Sequence, residues 1–146
     1  MTKPLSLNEI RSRAAQFVID WRDSPGDERQ DAQTFVRDLL LVFGISESRA
    51  ALYEKRAQRT STGSQGYIDA LVPGQLLIEM KSTGKNLGLA EVQALDYMDD
   101  LTEAERPDFV LTSDFKRFRL LDMKALKGED VTEWALEELP RYAGSL

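Results

Sequence analysis

Hydrophobic residues recur at intervals of three and four in two stretches near the start of the chain, which predicts two amphipathic helices. The first stretch runs from Leu7 to Trp21, and the second has its apolar positions within residues 32–43. Ser6 and Glu9 have the spacing of a capping box at the start of the first helix. Gly44 is a typical residue for the end of the second helix.

The pattern changes after residue 51, where short apolar runs between glycine- and proline-containing turns indicate β-strands. Pro73-Gly74 separates two of these runs and predicts a hairpin. After the two helices we therefore predict strands over residues 53–56, 66–72 and 75–81, a helix over residues 89–101, strands over residues 108–112 and 117–123, and a closing helix over residues 131–139.

This order of elements predicts an α/β fold with a mixed central β-sheet flanked by helices on both faces. A chain of 146 residues is the size of one domain, so we expect residues 1–146 to form a single domain. The longest apolar run, residues 39–43, is far too short to cross a membrane. Because the first residues contain no apolar signal segment, we expect a cytoplasmic protein without a membrane partner.

The composition limits the chemistry that the chain can perform. It contains no cysteine and no histidine, which excludes thiolate and imidazole ligands and the usual general base at neutral pH. Any catalysis must use carboxylates, lysine, hydroxyls or amides.

The net charge of −6 argues against a free-standing nucleic-acid binder, but the charge is unevenly distributed. Residues 49–85 contain six basic and three acidic residues. A basic middle between acidic flanks fits a domain that touches DNA at one place, and a solvated charge pattern without a partner fits equally well. Lys85, Arg56 and Arg59 could contact DNA phosphates, or they could serve solubility alone.

Two charged residues interrupt the apolar run over residues 75–81. Glu79 and Lys81 point to the same side of this predicted strand because side chains alternate between its faces. Burying such charges costs several kcal/mol unless they are paired or bound to a cation. Asp69 lies in the partner strand of the hairpin, and two carboxylates on adjacent strands can share a divalent cation.

The proposed pair of carboxylates imposes a condition on the hairpin. A two-residue turn at Pro73-Gly74 would pair Ile68 with Glu79 and turn Asp69 to the other face. We therefore predict a three-residue loop through Gln75, or an equivalent bulge, that places Asp69 opposite Glu79.

The residue types then indicate the reaction. Mg²⁺ prefers oxygen ligands and usually keeps several waters, so Asp69 and Glu79 suit it, and Mn²⁺ is expected to substitute. Such a metal would polarise a scissile phosphate and lower the pKa of a bound water. Lys81 would orient that water or stabilise the negative charge of the transition state.

Asp69 followed by Glu79-Met80-Lys81 resembles the PD-(D/E)XK nuclease superfamily. Gln93 and Tyr97 match the Q-x-x-x-Y signature of its RecB-like members. The resemblance implies a restriction-endonuclease-like fold, with Asp69 and Glu79 as metal ligands and with Lys81 and Gln93 as catalytic residues. An ordinary helix with a packed tyrosine and an exposed glutamine is the alternative for Gln93 and Tyr97.

Glu28 is a further candidate metal ligand, because an acidic residue of the first helices reaches the site in several members of the superfamily. A favourable charge at the N-terminus of the second helix explains Glu28 equally well.

The chain from about Phe17 to Met123 resembles the N-terminal domain of MmeI-like enzymes, which are single-chain type II restriction-modification proteins. The resemblance implies an Mg²⁺-dependent endonuclease domain acting on double-stranded DNA. Because one catalytic centre cuts one strand at a time, we expect a second copy to be required for double-strand cleavage. The resemblance also implies an adenine methyltransferase using S-adenosylmethionine and a target-recognition domain in the same polypeptide, of which this chain is a part. A catalytically inactive nuclease-like module for DNA binding or interaction is the alternative. The likeness rests on residues 32–35, 42–44, 66–69, 79–82, 93–97 and 109–120.

Overall fold

The computed structural model describes residues 5–45, 52–58, 65–124 and 130–143, and the elements named below lie within these ranges. The helices are α1 (Leu7–Trp21), α2 (Glu28–Val42), α3 (Leu87–Leu95) and α4 (Leu139–Tyr142). The strands are β1 (Leu52–Gln58), β2 (Gln65–Val72), β3 (Leu76–Met80), β4 (Phe109–Ser113), β5 (Arg117–Asp122) and β6 (Asp130–Ala135).

The two N-terminal helices form where the hydrophobic pattern predicts them. The Ser6 hydroxyl accepts a hydrogen bond from the Glu9 backbone N–H at 3.1 Å, and the Glu9 carboxylate accepts one from the Ser6 N–H. This confirms the capping box of α1. Gly44 adopts a φ of +76°, and the Ile45 N–H donates to the Leu40 carbonyl, which closes the end of α2.

The six described strands form one sheet in the order β1-β2-β3-β4-β5-β6. All neighbouring pairs are antiparallel except β3 and β4, which are parallel. Parallel neighbours need a crossover connection, and α3 lies in the segment that joins β3 to β4. The predicted mixed sheet is therefore confirmed.

Helices cover both faces of this sheet, as predicted. Helices α1, α2 and α4 pack with one face around an aromatic cluster, in which the Phe35 ring lies 5.0 Å from Trp21 and 4.9 Å from Phe115. Helix α3 packs on the other face over a smaller apolar cluster that includes Leu77 and Ala94. The chemistry predicted for Glu79 lies on the α3 side, because Glu79 alternates with Ile78 and Met80.

The prediction of a closing helix over residues 131–139 is wrong. Residues 130–135 form the strand β6, which pairs with β5, and only the residues after Ala135 turn into a 3-10 helix and the short α4. Val131, Thr132 and Trp134 are residue types that favour strands, and the pairing with β5 decides the outcome. The predicted helix over residues 89–101 is also shorter, because α3 ends at Leu95 and a 3-10 turn follows.

Candidate active site

The β2–β3 hairpin has the register that the two carboxylates require. Residues 73–75 form a three-residue loop in which the Gln75 N–H donates to the Val72 carbonyl at 2.9 Å, which confirms the predicted loop. Continuing the register by one residue places Asp69 across from Glu79. The ladder pairs Val72 with Leu76, Leu71 with Leu77, and Ala70 with Ile78.

Asp69 is held against the neighbouring strand. Its Oδ2 accepts a hydrogen bond of 2.7 Å from the backbone N–H of Met80. Because Met80 lies between Glu79 and Lys81, this bond holds the Asp69 carboxylate beside both of these residues.

Glu79 and Lys81 lie next to each other at the end of β3. Glu79 is 7% exposed, and the Lys81 Nζ lies 4.0 Å from Glu79 Oε1. The backbone N–H of Lys81 donates to the Ser113 carbonyl at 2.9 Å, so β4 fixes the chain at this point. The structure therefore brings Asp69, Glu79 and Lys81 together on one face of the sheet.

Asp69 and Glu79 belong to a line of polar residues that crosses the sheet, which we call the polar row. Two residues away on each of these strands, the side chain on the same face is apolar and belongs to the cluster under α3. The polar row therefore borders this apolar cluster. The polar row consists of Asp69, Glu79, Thr112, Arg119 and Glu133, one residue each from β2 to β6.

The polar row contains an ion-pair network that the sequence analysis missed. Glu91 of α3 is 4% exposed, and its Oε1 lies 3.2 Å from Arg119 Nε. Arg119 Nη1 also donates to the Glu133 carboxylate. Burial lowers the pKa of Arg119, but its hydrogen bonds to Glu91 and Glu133 and their charges raise it more, so the net effect is an increase. In the sequence, the alternation of Arg117 and Arg119 with apolar residues in β5 is the pattern that could have indicated charged side chains on this face.

Three further residues predicted from the sequence lie outside the strands. Gln93 is half-buried on α3, and Glu91 of the same helix contacts the polar row. Tyr97 is 6% exposed and packs in the apolar cluster under α3. Glu28 begins α2, but its side chain lies outside the described residues, so its role and that of Gln93 stay predictions.

The carboxylates of Asp69 and Glu79 fit a hard divalent cation by the chemistry of their donor atoms. Within the described ranges, no group of three or more Asp, Glu, His or Cys residues could hold a metal ion. Mg²⁺ needs no such cage, because one or two carboxylates, waters and substrate phosphate oxygens usually complete its shell. The site therefore suits Mg²⁺ better than a cation that requires many protein ligands.

The mixed sheet between two helical layers is consistent with the restriction-endonuclease-like class of α/β folds. The family described as MmeI, N-terminal domain, matches residues 12–146, and the chain belongs to this family. This confirms the resemblance to the N-terminal domain of MmeI-like enzymes and indicates a role related to restriction enzymes. No curated protein and no solved structure matches the chain. None of the described helices has the length and apolar character needed to cross a membrane.

Proposed function

We propose that this chain is a Mg²⁺-dependent DNA endonuclease domain that hydrolyses phosphodiester bonds in a restriction-modification or related phage-defence system. The observation that carries this proposal is the register of the hairpin, which puts Asp69 across from Glu79, together with Lys81 on the same face. Glu79 is 7% exposed, and burying a carboxylate is costly unless its charge is compensated, which supports a role in binding a cation.

Each residue of the site has a distinct task in this proposal. The carboxylates of Asp69 and Glu79 hold the cation, which when bound supplies the positive charge that polarises the phosphate and activates water. The Lys81 ammonium, 4.0 Å from Glu79 Oε1, donates a hydrogen bond to a phosphate oxygen and stabilises the charge of the transition state. The hydrogen bond from Met80 to Asp69 keeps the first carboxylate in place for this role.

The family also supports proposals about substrate and partners. The substrate is double-stranded DNA, and two copies of the domain act together to cut both strands. A methyltransferase that uses S-adenosylmethionine and a target-recognition domain belong to the same polypeptide. Mn²⁺ substitutes for Mg²⁺.

Cleavage of supercoiled plasmid at low salt tests the function. The 146-residue chain is incubated with Mg²⁺ or Mn²⁺, beside Lys81→Ala and Glu79→Gln. We expect nicked plasmid from the wild type and a rate at least ~100-fold lower from either variant. Lys124→Ala is the matched control, since Lys124 is an exposed lysine that pairs with Asp108 away from the site, and it should cleave as the wild type does.

Equal nicking by the wild type and both site variants would contradict the assignment of the site. A wild type that binds DNA with every metal tested but does not cut it would favour the inactive nuclease-like module.

A further inference from the structure

A cleft of about 360 Å³ opens beside the site, between the loop that follows Lys81 and the first residues of β5. Residues 84–88 form one wall, and Arg117 and Arg119 line the other. Arg119 lies two strands away from Glu79 in the polar row, which is a distance of about 10 Å. Along the axis of a DNA duplex this distance corresponds to about three base steps.

Two exposed basic side chains, Lys85 and Arg117, line this cleft, although the chain as a whole is acidic. Its lining contains three cations, Lys85, Arg117 and Arg119, and one carboxylate, Glu133. Glu133 is already paired with Arg119. Arg117 is paired with Asp114 at 3.2 Å but is exposed. Lys85 is, among the described residues, the cation of this cleft without a paired carboxylate.

A buried carboxylate fixes both walls of the cleft. Asp114 is 1% exposed, and its Oδ2 accepts hydrogen bonds from the Gly84 N–H at 3.0 Å and from Arg117 Nη2 at 3.2 Å. Arg117 Nη2 also donates to the Lys85 carbonyl across the cleft at 3.0 Å. Among the described residues these bonds use Nε and Nη2 of Arg117 and leave its Nη1 for a ligand.

The loop adds backbone donors to the same cleft. Asn86 caps α3 by accepting the hydrogen bond of the Leu89 N–H at 3.1 Å. The amide groups of Leu87 and Gly88, in the first turn of α3, remain to bind an anion. The cleft thus combines two side-chain cations with amide donors on a loop that is anchored in advance.

We infer that this cleft binds a phosphate of the DNA backbone and so positions the strand whose scissile bond lies over Asp69 and Glu79. The inference rests on the proposed nuclease function for the identity of the ligand, and on the cleft itself for the binding of a phosphodiester. An arginine with a fixed guanidinium suits a phosphate oxygen better than a mobile lysine does.

Nuclear magnetic resonance titration tests the inference directly. A short DNA duplex is added to ¹⁵N-labelled Lys81→Ala chain without divalent cation, so that the result does not depend on cleavage. We expect saturable shifts of the amide signals of residues 84–88 and of Arg117 Nε. If the duplex shifts only other signals, or none, the inference is overturned. Saturation of these signals by a few millimolar inorganic phosphate, with no response to the duplex, would instead identify free phosphate as the ligand and overturn the assignment to DNA.

Two variants measure the contribution of the cleft. Arg117→Gln should weaken duplex binding about tenfold and reduce the slope of log K against log salt by about 0.9, the value for one lost phosphate contact. Lys85→Gln removes an exposed charge without touching Asp114, and it should reduce the slope in the same direction. Lys124→Gln, beyond the opposite end of β5, is the control and should change neither quantity.

The outcomes separate this inference from the nuclease proposal. Cleavage by the wild type with unchanged duplex binding in Arg117→Gln and Lys85→Gln would refute the cleft and keep the nuclease. Duplex binding at the cleft without any cleavage would support the cleft and contradict the nuclease proposal.

Discussion

The backbone N–H of Met80 donates a hydrogen bond of 2.7 Å to Oδ2 of Asp69, so a side chain of β2 bonds to the backbone of β3 next to Glu79. The last pair of the β2–β3 ladder is Ala70 with Ile78, and this bond extends the link between the strands toward the site. Asp69 therefore has two separable properties. It is a hydrogen-bond acceptor that holds the hairpin end, and it is a negative charge that can bind a cation.

Substitution of Asp69 by asparagine or alanine separates these properties. An asparagine side chain would keep an acceptor for Met80 but lose the charge, so Asp69→Asn should fold with nearly wild-type stability and lose metal-dependent cleavage. Asp69→Ala should also lower the free energy of unfolding by about 1–3 kcal/mol, because it leaves the Met80 N–H without its partner. Chemical denaturation and plasmid nicking measure the two effects. Equal destabilisation by both substitutions would show that the charge, rather than the hydrogen bond, holds the hairpin.

The hairpin register could be predicted from the sequence because two requirements agreed: the two carboxylates had to share a cation, and side chains alternate between the faces of a strand. A three-residue loop or an equivalent bulge places Asp69 and Glu79 on one face, and the structure has the loop, over residues 73–75. The Glu91–Arg119 pair could not be predicted in the same way. This ion pair joins α3 to β5. The sequence pattern of either element does not indicate which turn of the helix packs against which strand.

The strand β6 illustrates a second limit. This segment reads equally well as the start of a helix, since Val131, Ala135 and Leu139 recur at steps of four residues. The pairing of Arg119 with Glu133 and of Phe118 with Trp134 fixes this segment as a strand. This pairing requires that β5, already paired with β4, has its other edge available for β6. The local sequence of β6 does not contain this information.

Binding of a divalent cation should stabilise the fold through Glu79. At a Mg²⁺ concentration about ten times the dissociation constant, the free energy of unfolding should rise by about 1.4 kcal/mol. Thermal unfolding with and without Mg²⁺ measures the rise as a higher Tm. Glu79→Gln should abolish the Mg²⁺ effect, and Glu133→Gln, at the exposed end of the same row, should retain it. A Tm increase of the same size in Glu79→Gln would place the cation elsewhere.

The two carboxylates that hold Arg119 should differ in their contribution to stability. The Glu91 side chain is 6% exposed and lies against the half-buried Arg119, whereas the Glu133 side chain is 56% exposed. Glu91→Ala should therefore lower the free energy of unfolding by about 2 kcal/mol, because Arg119 keeps only a solvent-screened partner. Glu133→Ala should cost less than about 1 kcal/mol. Denaturation in urea gives both values, and equal losses would contradict the structural difference between the two pairs.

The raised pKa of Arg119 gives this network a defined pH dependence. A group whose folded-state pKa is raised contributes stability that is complete below its unfolded pKa and is lost as the pH rises through the folded value. For an arginine this window lies in strongly alkaline solution. The loss caused by Glu91→Ala should consequently be the same at about pH 7 and about pH 10, as measured by urea denaturation. A loss that shrinks markedly by the higher pH would show that the contribution of the pair depends on a group other than Arg119.

Gly26 lies so close to Thr83, two residues after Lys81, that a methyl group cannot fit between them. A Cβ on Gly26 would come within 1.8 Å of Thr83 Oγ1, and the φ of +71° is itself unfavourable for alanine. Gly26→Ala should lower the free energy of unfolding by about 2–3 kcal/mol. Thr83→Ala removes the hydroxyl that is in the way, so the double variant should be more stable than the sum of the single losses by about 1 kcal/mol. Urea denaturation of the four proteins measures this coupling. The Thr83 N–H also donates to the Gly26 carbonyl at 3.0 Å. Strictly additive losses would contradict the close contact between the Thr83 hydroxyl and Gly26.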